Sequence, residues 1–317
     1  MKPSTHDNSF LIAAANSGQL IISDRSSRAE PFRTRTIITE EGSKKVVYKC
    51  AASEKAETFV KGIVAKERAN AAYLKGHFDV HSGTLEGDRI RYDYLPYPSL
   101  VDEMQLRMRQ GDFQTAQELL DRYVGKVQAL EAVYTMPTEF LMLVGNQNGH
   151  KFETRCLCRG LLDLTPKNIL MSGTHWVLLD NEWSFDFPIP IVFVLFRAIR
   201  ELAITLQTEI RQITNEDNPA LGMFACGWRT YYIPLVWIKY ITATGISPRR
   251  LVRWEKGFWQ YTTGSKKGYV GRIKRRLSLR THLSANQIVF NGQICAGFKR
   301  FISSVPGVAR IVHILDE

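Results

Sequence analysis

Residues 159–183 read RGLLDLTPKNILMSGTHWVLLDNEW, and they carry more information about the fold than any other part of the 317-residue chain. A carboxylate, Asp163, precedes an amide, Asn168, and a short hairpin then leads through an apolar strand to a second carboxylate, Asp180. An Asp-x-x-x-x-Asn pattern is common by itself, and Pro-Lys-Asn is ordinary turn chemistry. The meaning of the stretch therefore depends on the elements around it.

A β-hairpin is predicted for residues 35–51, in a region that reads as β-strands from residue 10 onward. Apolar and polar residues alternate on both sides of Glu-Glu-Gly-Ser at 40–43, which is typical of a tight turn. Lys49 shares one face of the second arm with small apolar neighbours. Such a lysine has either a buried partner or a side chain that lies along the surface.

A helix is predicted for residues 55–75, because apolar residues recur there at helical spacing. Glu67 falls on the apolar stripe, where a carboxylate is costly unless it is paired. Lys49 on the preceding strand is its expected partner. Glu57, near the helix start where an acid also suits the helix dipole, is a second candidate for that pairing.

Further elements follow from similar patterns. Residues 78–81 and 89–95 predict a second hairpin, which a Pro-Tyr-Pro sequence ends. Continuous apolar stripes predict helices over residues 112–133 and 191–210. Residues 219–263 are rich in aromatic side chains, which indicate core packing or, alternatively, a surface that stacks on sugar rings.

The order and spacing of five residues resemble the protein-kinase fold. They are Lys49, Glu67, Asp163, Asn168 and Asp180. The resemblance implies an α+β, bilobal fold with a small β-rich N-lobe and a mostly helical C-lobe. The expected domains are a kinase-like N-lobe at 1–96, a kinase-like C-lobe at 97–263 and a basic, partly amphipathic C-terminal tail at 264–317.

The resemblance also implies an ATP site between the lobes. Lys49, held by Glu67, would contact the α- and β-phosphates. The carbonyl group of Asp93 and the amide group of Leu95 would meet the adenine at the hinge between the lobes.

The same resemblance implies phosphoryl transfer with Mg²⁺. Asn168 and Asp180 would coordinate the metal ion that bridges the phosphates. Asp163 would accept the proton of the attacking hydroxyl group.

Two departures from the kinase pattern concern the nucleotide site. The glycine-rich loop is absent, and residues 24–29 stand in its place, where Arg25, Ser27 and Arg28 are the candidate phosphate contacts. The usual Asp-Phe-Gly triplet reads Asp-Asn-Glu at 180–182, so that Glu182 could add a contact to the metal or the substrate.

A third departure concerns the acceptor. Protein kinases have a long activation segment closed by Ala-Pro-Glu, whereas this chain has neither the long segment nor the triplet. A platform for a peptide substrate is therefore not expected. Asp-x-Glu-Trp at 180–183, followed by Pro-x-Pro, resembles the kinase domains of bacterial O-antigen chain terminators and, more distantly, lipopolysaccharide-core sugar kinases. This resemblance implies a sugar hydroxyl of a lipid-linked surface glycan as the acceptor.

The net charge of +11 equals the charge of residues 256–315, a segment that contains most of the C-terminal tail. Residues 256–315 contain 11 Lys or Arg and no Asp or Glu, which leaves 31 basic and 31 acidic residues elsewhere. Apolar residues interrupt the basic ones, as in segments that lie on an anionic membrane surface. A solvated or substrate-docking face and a nucleic-acid-binding segment are the alternatives. The glycan resemblance favours the membrane, and nucleic acid is the least favoured partner.

The expected location is the cytoplasm, peripheral on the inner face of the cell membrane. The five cysteines are odd in number and unevenly spaced, which fits a reducing compartment and does not form a zinc pattern. We expect neither a secretory signal nor a membrane-spanning helix from the apolar stretches present.

Two other functions remain open from the sequence. One is a pseudokinase, a kinase-shaped module that docks a membrane glycosyltransferase, which the missing glycine loop favours. The other is a small-molecule kinase of the aminoglycoside or choline type, which needs an acidic pocket for its cationic acceptor. Residues 219–315 contain a single acid, Glu255, and this disfavours the second alternative.

Overall fold

An antiparallel sheet covered by one helix precedes a larger, mostly helical region in the computed structural model. The structure describes residues 19–145, 153–212, 221–226, 229–242 and 244–264. Up to residue 145 the elements are β1 (Gln19–Asp24), β2 (Thr34–Glu41), β3 (Lys44–Ala51), α1 (Glu57–Leu74), β4 (Asp79–Val80), β5 (Thr84–Glu86), β6 (Arg89–Asp93), α2 (Leu100–Arg109), α3 (Phe113–Gln128), β7 (Ala132–Thr135) and α4 (Thr138–Leu143).

From residue 153 onward the elements are β8 (Glu153–Leu157), β9 (Gly160–Leu161), β10 (Ile169–Ser172), β11 (His175–Leu178), β12 (Ser184–Phe185), β13 (Ile189–Pro190), α5 (Ile191–Thr205), α6 (Gln207–Gln212), β14 (Leu221–Cys226), β15 (Arg229–Pro234), α7 (Leu235–Thr242) and α8 (Pro248–Thr263). Short 3-10 turns lie at Glu30–Phe32, Glu54–Ala56 and Pro166–Asn168.

The N-terminal sheet has the strand order β1-β2-β3-β6-β5. Strands β2 and β3 pair from Thr34↔Ala51 to Glu41↔Lys44, so that two residues, Gly42 and Ser43, close the turn. Gly42 has a φ of 63°, a left-handed conformation that glycine adopts without a steric cost. The predicted hairpin over residues 35–51 is therefore confirmed.

Helix α1 packs on the N-terminal sheet through its apolar stripe. Val60, Ile63 and Val64 bury their side chains against Ile90 and Tyr92 of β6. This small core confirms the helix predicted for residues 55–75. It also fixes the position of α1 relative to β3, which carries Lys49.

The second predicted hairpin is partly wrong. Its turn and its second arm are present, since β5 pairs with β6 from Glu86↔Arg89 to Thr84↔Arg91. The predicted first arm, residues 78–81, instead forms β4, which pairs in parallel with β11 of the helical region. The reason is burial: Phe78 packs in the large core, close to Trp176.

The helical region is built around one large core. Helix α3 begins at the N-cap Asp112, whose Oδ1 accepts a hydrogen bond from the amide group of Thr115 at 3.0 Å. It ends at Gln128, short of the predicted residue 133. Residues 132–135 leave the helix because they pair with β8 as strand β7.

The helix predicted for residues 191–210 is interrupted at Leu206, between α5 and α6. At the interruption the side chain of Gln207 forms hydrogen bonds with the backbone of β15. Its Oε1 accepts a hydrogen bond from the amide group of Tyr232 at 2.9 Å, and its Nε2 donates one to the carbonyl group of Tyr232 at 3.3 Å.

Most of the described aromatic side chains between residues 232 and 261 confirm the prediction of core packing. Trp237, Trp254 and Phe258 are buried in the large core, whereas Tyr261 is exposed. The fold class is the predicted one, an α+β arrangement of a small β-rich part followed by a mostly helical part.

The domain boundaries at residues 96 and 263 stay predictions. The basic tail, apart from Gly264, lies outside the described residues. Within the part of the chain that the structure describes, none of the helices combines the length and apolar character needed to cross a bilayer.

Candidate active site

A cavity of about 320 Å³ lies between the N-terminal sheet and the loops of the helical region that carry Asn168 and Asp180. Its walls combine apolar side chains with a few charged and amide groups. The lining residues are Ser23, Arg25, Thr34, Thr36, Ile38, Val47, Lys49, His81, Tyr92, Asp93, Tyr94, Leu95, Asn168, Leu170, Leu179, Asp180 and Glu182. Its volume and mixed lining are typical of small-molecule sites.

Lys49 enters the cavity from β3, the third strand of the N-terminal sheet in chain order. Its side chain is buried, and its ammonium group forms ion pairs with Oδ1 of Asp180 and with Oε1 of Glu182, the second at 2.9 Å. Burial by itself would lower the pKa of Lys49, but the two carboxylates outweigh it and raise the pKa. Lys49 is therefore charged, as a phosphate-binding group must be.

Glu182 is the centre of a buried charge cluster. The residue is 2 % exposed, and its carboxylate accepts hydrogen bonds from the hydroxyl group of Thr34 at 3.1 Å and from the guanidinium group of Arg28. Burial opposes ionisation, but Lys49 and Arg28 lower the pKa of Glu182 to about 2. A carboxylate with these three partners has little capacity left for a metal ion.

The predicted pairing of Lys49 with Glu67 is wrong. No ion pair joins the two residues in the described part of the chain, and Glu57 instead pairs with Lys61. Both oxygens of Glu67 are used elsewhere: Oε1 accepts a hydrogen bond from the hydroxyl group of Tyr92 at 2.7 Å, and Oε2 accepts one from the amide group of Gly83 at 2.9 Å. Burial raises the pKa of Glu67, and these two donors partly offset the effect.

Asp163 is held by the segment that follows Asp180. Strands β9 and β12 pair through Leu161↔Ser184, which brings the two segments together. The amide group of Trp183 then donates a hydrogen bond to Oδ2 of Asp163 at 2.7 Å. Burial, followed by the charges of Asp180 and Glu182, raises the pKa of Asp163 to about 7. A carboxylate with such a pKa suits a general base near neutral pH.

Asn168 links Asp163 to the cavity wall. Its Nδ2 donates a hydrogen bond to the backbone carbonyl group of Asp163 at 3.0 Å, and its own carbonyl group accepts one from the amide of Leu179 at 2.7 Å. Two further hydrogen bonds hold the backbone on both sides of Asp163. Tyr123 Oη donates to the carbonyl group of Leu164 at 2.7 Å, and Arg197 Nε donates to the carbonyl group of Leu162 at 3.2 Å.

Asp180 occupies a left-handed backbone conformation, with a φ of 52°. Non-glycine residues rarely adopt it, and such strain is concentrated at functional sites. The next residue, Asn181, is buried and accepts a hydrogen bond from Asn70 of α1 at 3.2 Å. The turn at Asp180 thus directs its carboxylate to the cavity while Asn181 faces α1.

The donor set fits a magnesium ion that is bound together with a nucleotide. Within the described ranges no group of three or more His, Cys, Asp and Glu side chains is arranged to hold a metal ion. Asp180 and Asn168 supply one carboxylate and one amide at the cavity wall. Mg²⁺ prefers oxygen ligands, and it is usually held by one or two carboxylates together with water and substrate phosphates.

The other predicted nucleotide contacts divide into two groups. Asp93, Leu95 and Arg25 line the cavity. Ser27 is exposed and is not among the lining residues, and Arg28 is engaged by Glu182. The roles of these residues, like those of Lys49, Asp163, Asn168 and Asp180, stay predictions.

Sequence reasoning missed several residues of the site. Thr34 and Tyr92 line the cavity, and His81 joins them from the segment after β4. Nothing in the local pattern marks these three. The sequence indicates Glu182 only as a metal or substrate contact, and its place two residues after Asp180 is the one signal for a role beside Lys49.

The sequence matches no protein-family model and no curated protein. Among solved structures, it is similar to a macrolide 2'-phosphotransferase type I, with a TM-score of 0.40, 11% identity, and coverage of 87% of this chain and 99% of that chain.

Two further similar structures are the choline kinase LicA from Streptococcus pneumoniae and a thermostable mutant of the aminoglycoside phosphotransferase APH(4)-Ia. The first has a TM-score of 0.38 and 14% identity, and covers 77% of this chain and 88% of that chain. The second has a TM-score of 0.35 and 9% identity, and the match covers 82% of this chain and 99% of that chain.

Proposed function

We propose that this protein is an ATP- and Mg²⁺-dependent phosphotransferase whose acceptor is a sugar hydroxyl group of a bacterial surface glycan. One observation carries the proposal. Lys49, Asn168 and Asp180 line the same cavity. Asp163 accepts hydrogen bonds from the side chain of Asn168 and from the amide group of Trp183, three residues after Asp180.

In this proposal the nucleotide lies in the cavity with its adenine ring toward Asp93 and Leu95. Apolar side chains, among them Ile38, Val47 and Leu170, suit the adenine ring near Asp93 and Leu95. Lys49 then lies on the side of the phosphates, where a buried ammonium group attracts their charge. Arg25 lines the same cavity and is a second candidate for the phosphates.

Asp163 acts as the general base in this proposal. It accepts the proton of the acceptor hydroxyl group while the oxygen attacks the γ-phosphorus and the bond to the β-phosphate oxygen breaks. The products are the phosphorylated sugar and ADP. When bound, Mg²⁺ neutralises phosphate charge, and Asn168 and Asp180 are the residues that would hold it.

The proposal of a non-peptide acceptor follows from the connection after Asp180. Only residues 181–190 separate it from helix α5, and they form the short strands β12 and β13 instead of a long activation segment. A cationic acceptor is disfavoured because Glu255 forms ion pairs with Arg197 and Arg200 at 2.8 and 3.4 Å. A neutral sugar hydroxyl fits both observations.

We further propose that the acceptor is lipid-linked and that the protein works at the inner face of the cell membrane. The basic residues of 264–317 would attract an anionic surface, where each Lys or Arg contributes about 1 kcal/mol. A glycosyltransferase of the same pathway is the proposed protein partner. Sedimentation with vesicles that contain anionic lipid, with and without residues 265–317, tests the membrane part.

The experiment that tests the activity measures Mg²⁺-dependent ATP turnover by the purified protein with bacterial glycan acceptors. Asp163→Asn should lower the rate by about 10²–10⁴-fold, because general-base catalysis is lost. Asp88→Asn, in the exposed turn between β5 and β6, is the matched control and should leave the rate unchanged. Wild-type protein that shows no turnover with any glycan would contradict the proposal.

The substrate class is tested separately in the host. Mass spectrometry of the surface polysaccharide, with and without the gene for this protein, should show the loss of one phosphate from the glycan. An unchanged glycan together with intact ATP turnover would point to another acceptor.

The second candidate is the pseudokinase module. The observation that favours it is the loop at residues 24–29, where only one of the three predicted phosphate contacts, Arg25, lines the cavity. A thermal-shift titration separates the two candidates. Stabilisation by ATP that depends on Mg²⁺ supports the enzyme, whereas its absence supports the binding module.

A further inference from the structure

We infer that Glu182 is the positioning residue for the phosphate-binding Lys49, in the place that Glu67 was predicted to hold. The inference rests on the proposed function, because it concerns the nucleotide site of that activity. In the protein-kinase resemblance, the residue that holds the phosphate-binding lysine lies on helix α1. Here that residue would lie in the segment that follows Asp180, the proposed metal ligand.

Three donors of the N-terminal sheet and its connecting turn converge on this one carboxylate. Oε1 of Glu182 accepts from Lys49 at 2.9 Å and from the hydroxyl group of Thr34 at 3.1 Å, and Oε2 accepts from Arg28. Arg28 Nη1 also donates to Thr34 Oγ1 at 3.1 Å, which closes the network. Charge-assisted, buried bonds of this kind restrict the side chains that form them.

The network has a direct consequence for Asp180. Lys49 contacts both Asp180 and Glu182, so that Glu182 provides a second anchor for the ammonium group. Without it, Asp180 would be the remaining carboxylate partner of Lys49. The ammonium group would then compete with Mg²⁺ for a carboxylate that the metal needs.

Glu67 forms no ion pair with Lys49 in the described part of the chain. Its two oxygens already accept hydrogen bonds from Tyr92 and Gly83, both within the N-terminal sheet and its loop. Glu67 thus connects helix α1 to Tyr92 of β6 and to Gly83. Its removal should affect the stability of this part more than the position of Lys49.

The position of Glu182 couples two halves of the site. It follows Asp180 by two residues, and its own carbonyl group accepts a hydrogen bond from Lys66 of α1 at 3.0 Å. The phosphate-binding lysine and the metal-binding aspartate therefore take their positions from one segment, residues 180–183. A change in that segment should alter ATP and Mg²⁺ binding together.

The first test compares three glutamate-to-glutamine variants of the full chain. Glu182→Gln should raise the KM for ATP by about tenfold or more and weaken the response to Mg²⁺, because a buried charge loses its partner. Glu67→Gln should raise this KM less. Glu209→Gln is the matched control, since Glu209 is equally buried and pairs at 2.8 Å with Arg109, and neither residue lines the cavity.

If Glu182→Gln is unstable, a double-mutant cycle of Glu182 and Lys49, measured by ATP binding, provides the second test. In a Lys49→Met background, Glu182→Asp should cause no further loss of ATP binding, because Glu182 acts through Lys49. Independent, additive losses would overturn the inference, as would a larger effect of Glu67→Gln than of Glu182→Gln on the KM for ATP.

The outcome for the wild-type protein separates the two proposals. If wild-type protein does not bind or turn over ATP, the proposed function fails. If it does and Glu182→Gln matches it in KM for ATP and in Mg²⁺ response, only the role of Glu182 fails.

Discussion

The backbone amide group of Trp183 donates a hydrogen bond to Oδ2 of Asp163 over 2.7 Å. This bond joins the proposed base to the segment that carries Asp180 and Glu182. Burial and the charges of those two residues raise the pKa of Asp163 to about 7, even though the amide bond favours the ionised form. The proton affinity of the base is thus set by residues far from it in sequence.

The first prediction concerns the pH dependence of activity. Because Asp163 must be ionised to accept a proton, kcat/KM should rise with pH and level off above an apparent pKa near 7. Steady-state rates between pH 5.5 and about 8.5 check this. In Asp163→Asn the residual activity should lack this rise, and a rise that persists in the variant would assign it to another group.

The second prediction concerns the pH dependence of stability. The pKa of Asp163 is higher in the folded protein than its ordinary value of 3.8, so the folded state holds the proton more tightly. Its contribution to the free energy of unfolding is fully present below pH 3.8 and is lost as the pH rises through about 7.

Urea unfolding of wild-type protein and Asp163→Asn checks this sign. The stability of the wild type relative to the variant should fall between pH 4 and about 7. Glu182 acts with the opposite sign, because its pKa is lowered to about 2, so its contribution is lost only as the pH falls toward that value. A relative stability that rises across the window would contradict the prediction.

The third prediction concerns the backbone at Asp180. Asp180→Gly and Asp180→Ala both remove the carboxylate and should both abolish Mg²⁺-dependent turnover. Since φ is 52°, Asp180→Gly should be more stable than Asp180→Ala by about 1–2 kcal/mol in urea unfolding. Equal stabilities would show that the left-handed conformation is not maintained in the variants.

The fourth prediction concerns Gly83. A Cβ atom there would lie 2.6 Å from Cε1 of Tyr92 and would also overlap Ile90. Gly83→Ala should therefore destabilise the protein by about 1–3 kcal/mol and weaken ATP binding, because Tyr92 lines the cavity.

Gly62→Ala is the matched control for Gly83→Ala. Gly62 lies inside helix α1, and a Cβ atom there meets nothing within 4 Å. The substitution should stabilise the protein by up to about 1 kcal/mol, because alanine is the better helix former. Thermal unfolding with and without ATP and Mg²⁺ measures both effects, and equal shifts for the two variants would refute the steric argument.

The fifth prediction concerns Tyr123, which is fully buried and donates a hydrogen bond to the carbonyl group of Leu164 at 2.7 Å. Tyr123→Phe should cost about 1–3 kcal/mol, because a buried carbonyl group loses its donor. Tyr134→Phe, at a side chain that is 67% exposed, should change the stability by less than about 0.5 kcal/mol. Similar urea midpoints for both variants would contradict the assigned role.

Elements with strong local signals were predictable. The turn at Gly42 and the apolar stripe of α1 depend on residues close in sequence, and both elements formed where expected. The predictions failed where local pattern and burial disagree. Phe78 extends a strand-like pattern, but the large core buries it, and so β4 pairs with β11 instead of β6.

The site shows the same division. The sequence by itself indicated Lys49, Asn168, Asp180 and Asp163 as the candidate groups for phosphate, metal and proton, and these roles stay predictions. Only the tertiary structure decided that Lys49 pairs with Glu182, since a buried carboxylate takes the nearest donors that the fold brings to it. Glu67 instead accepts hydrogen bonds from Tyr92 and Gly83. The amino-acid sequence sets the type of each residue. The packing of the fold sets the ion-pair partners, because it decides which buried groups lie within hydrogen-bond distance of each other.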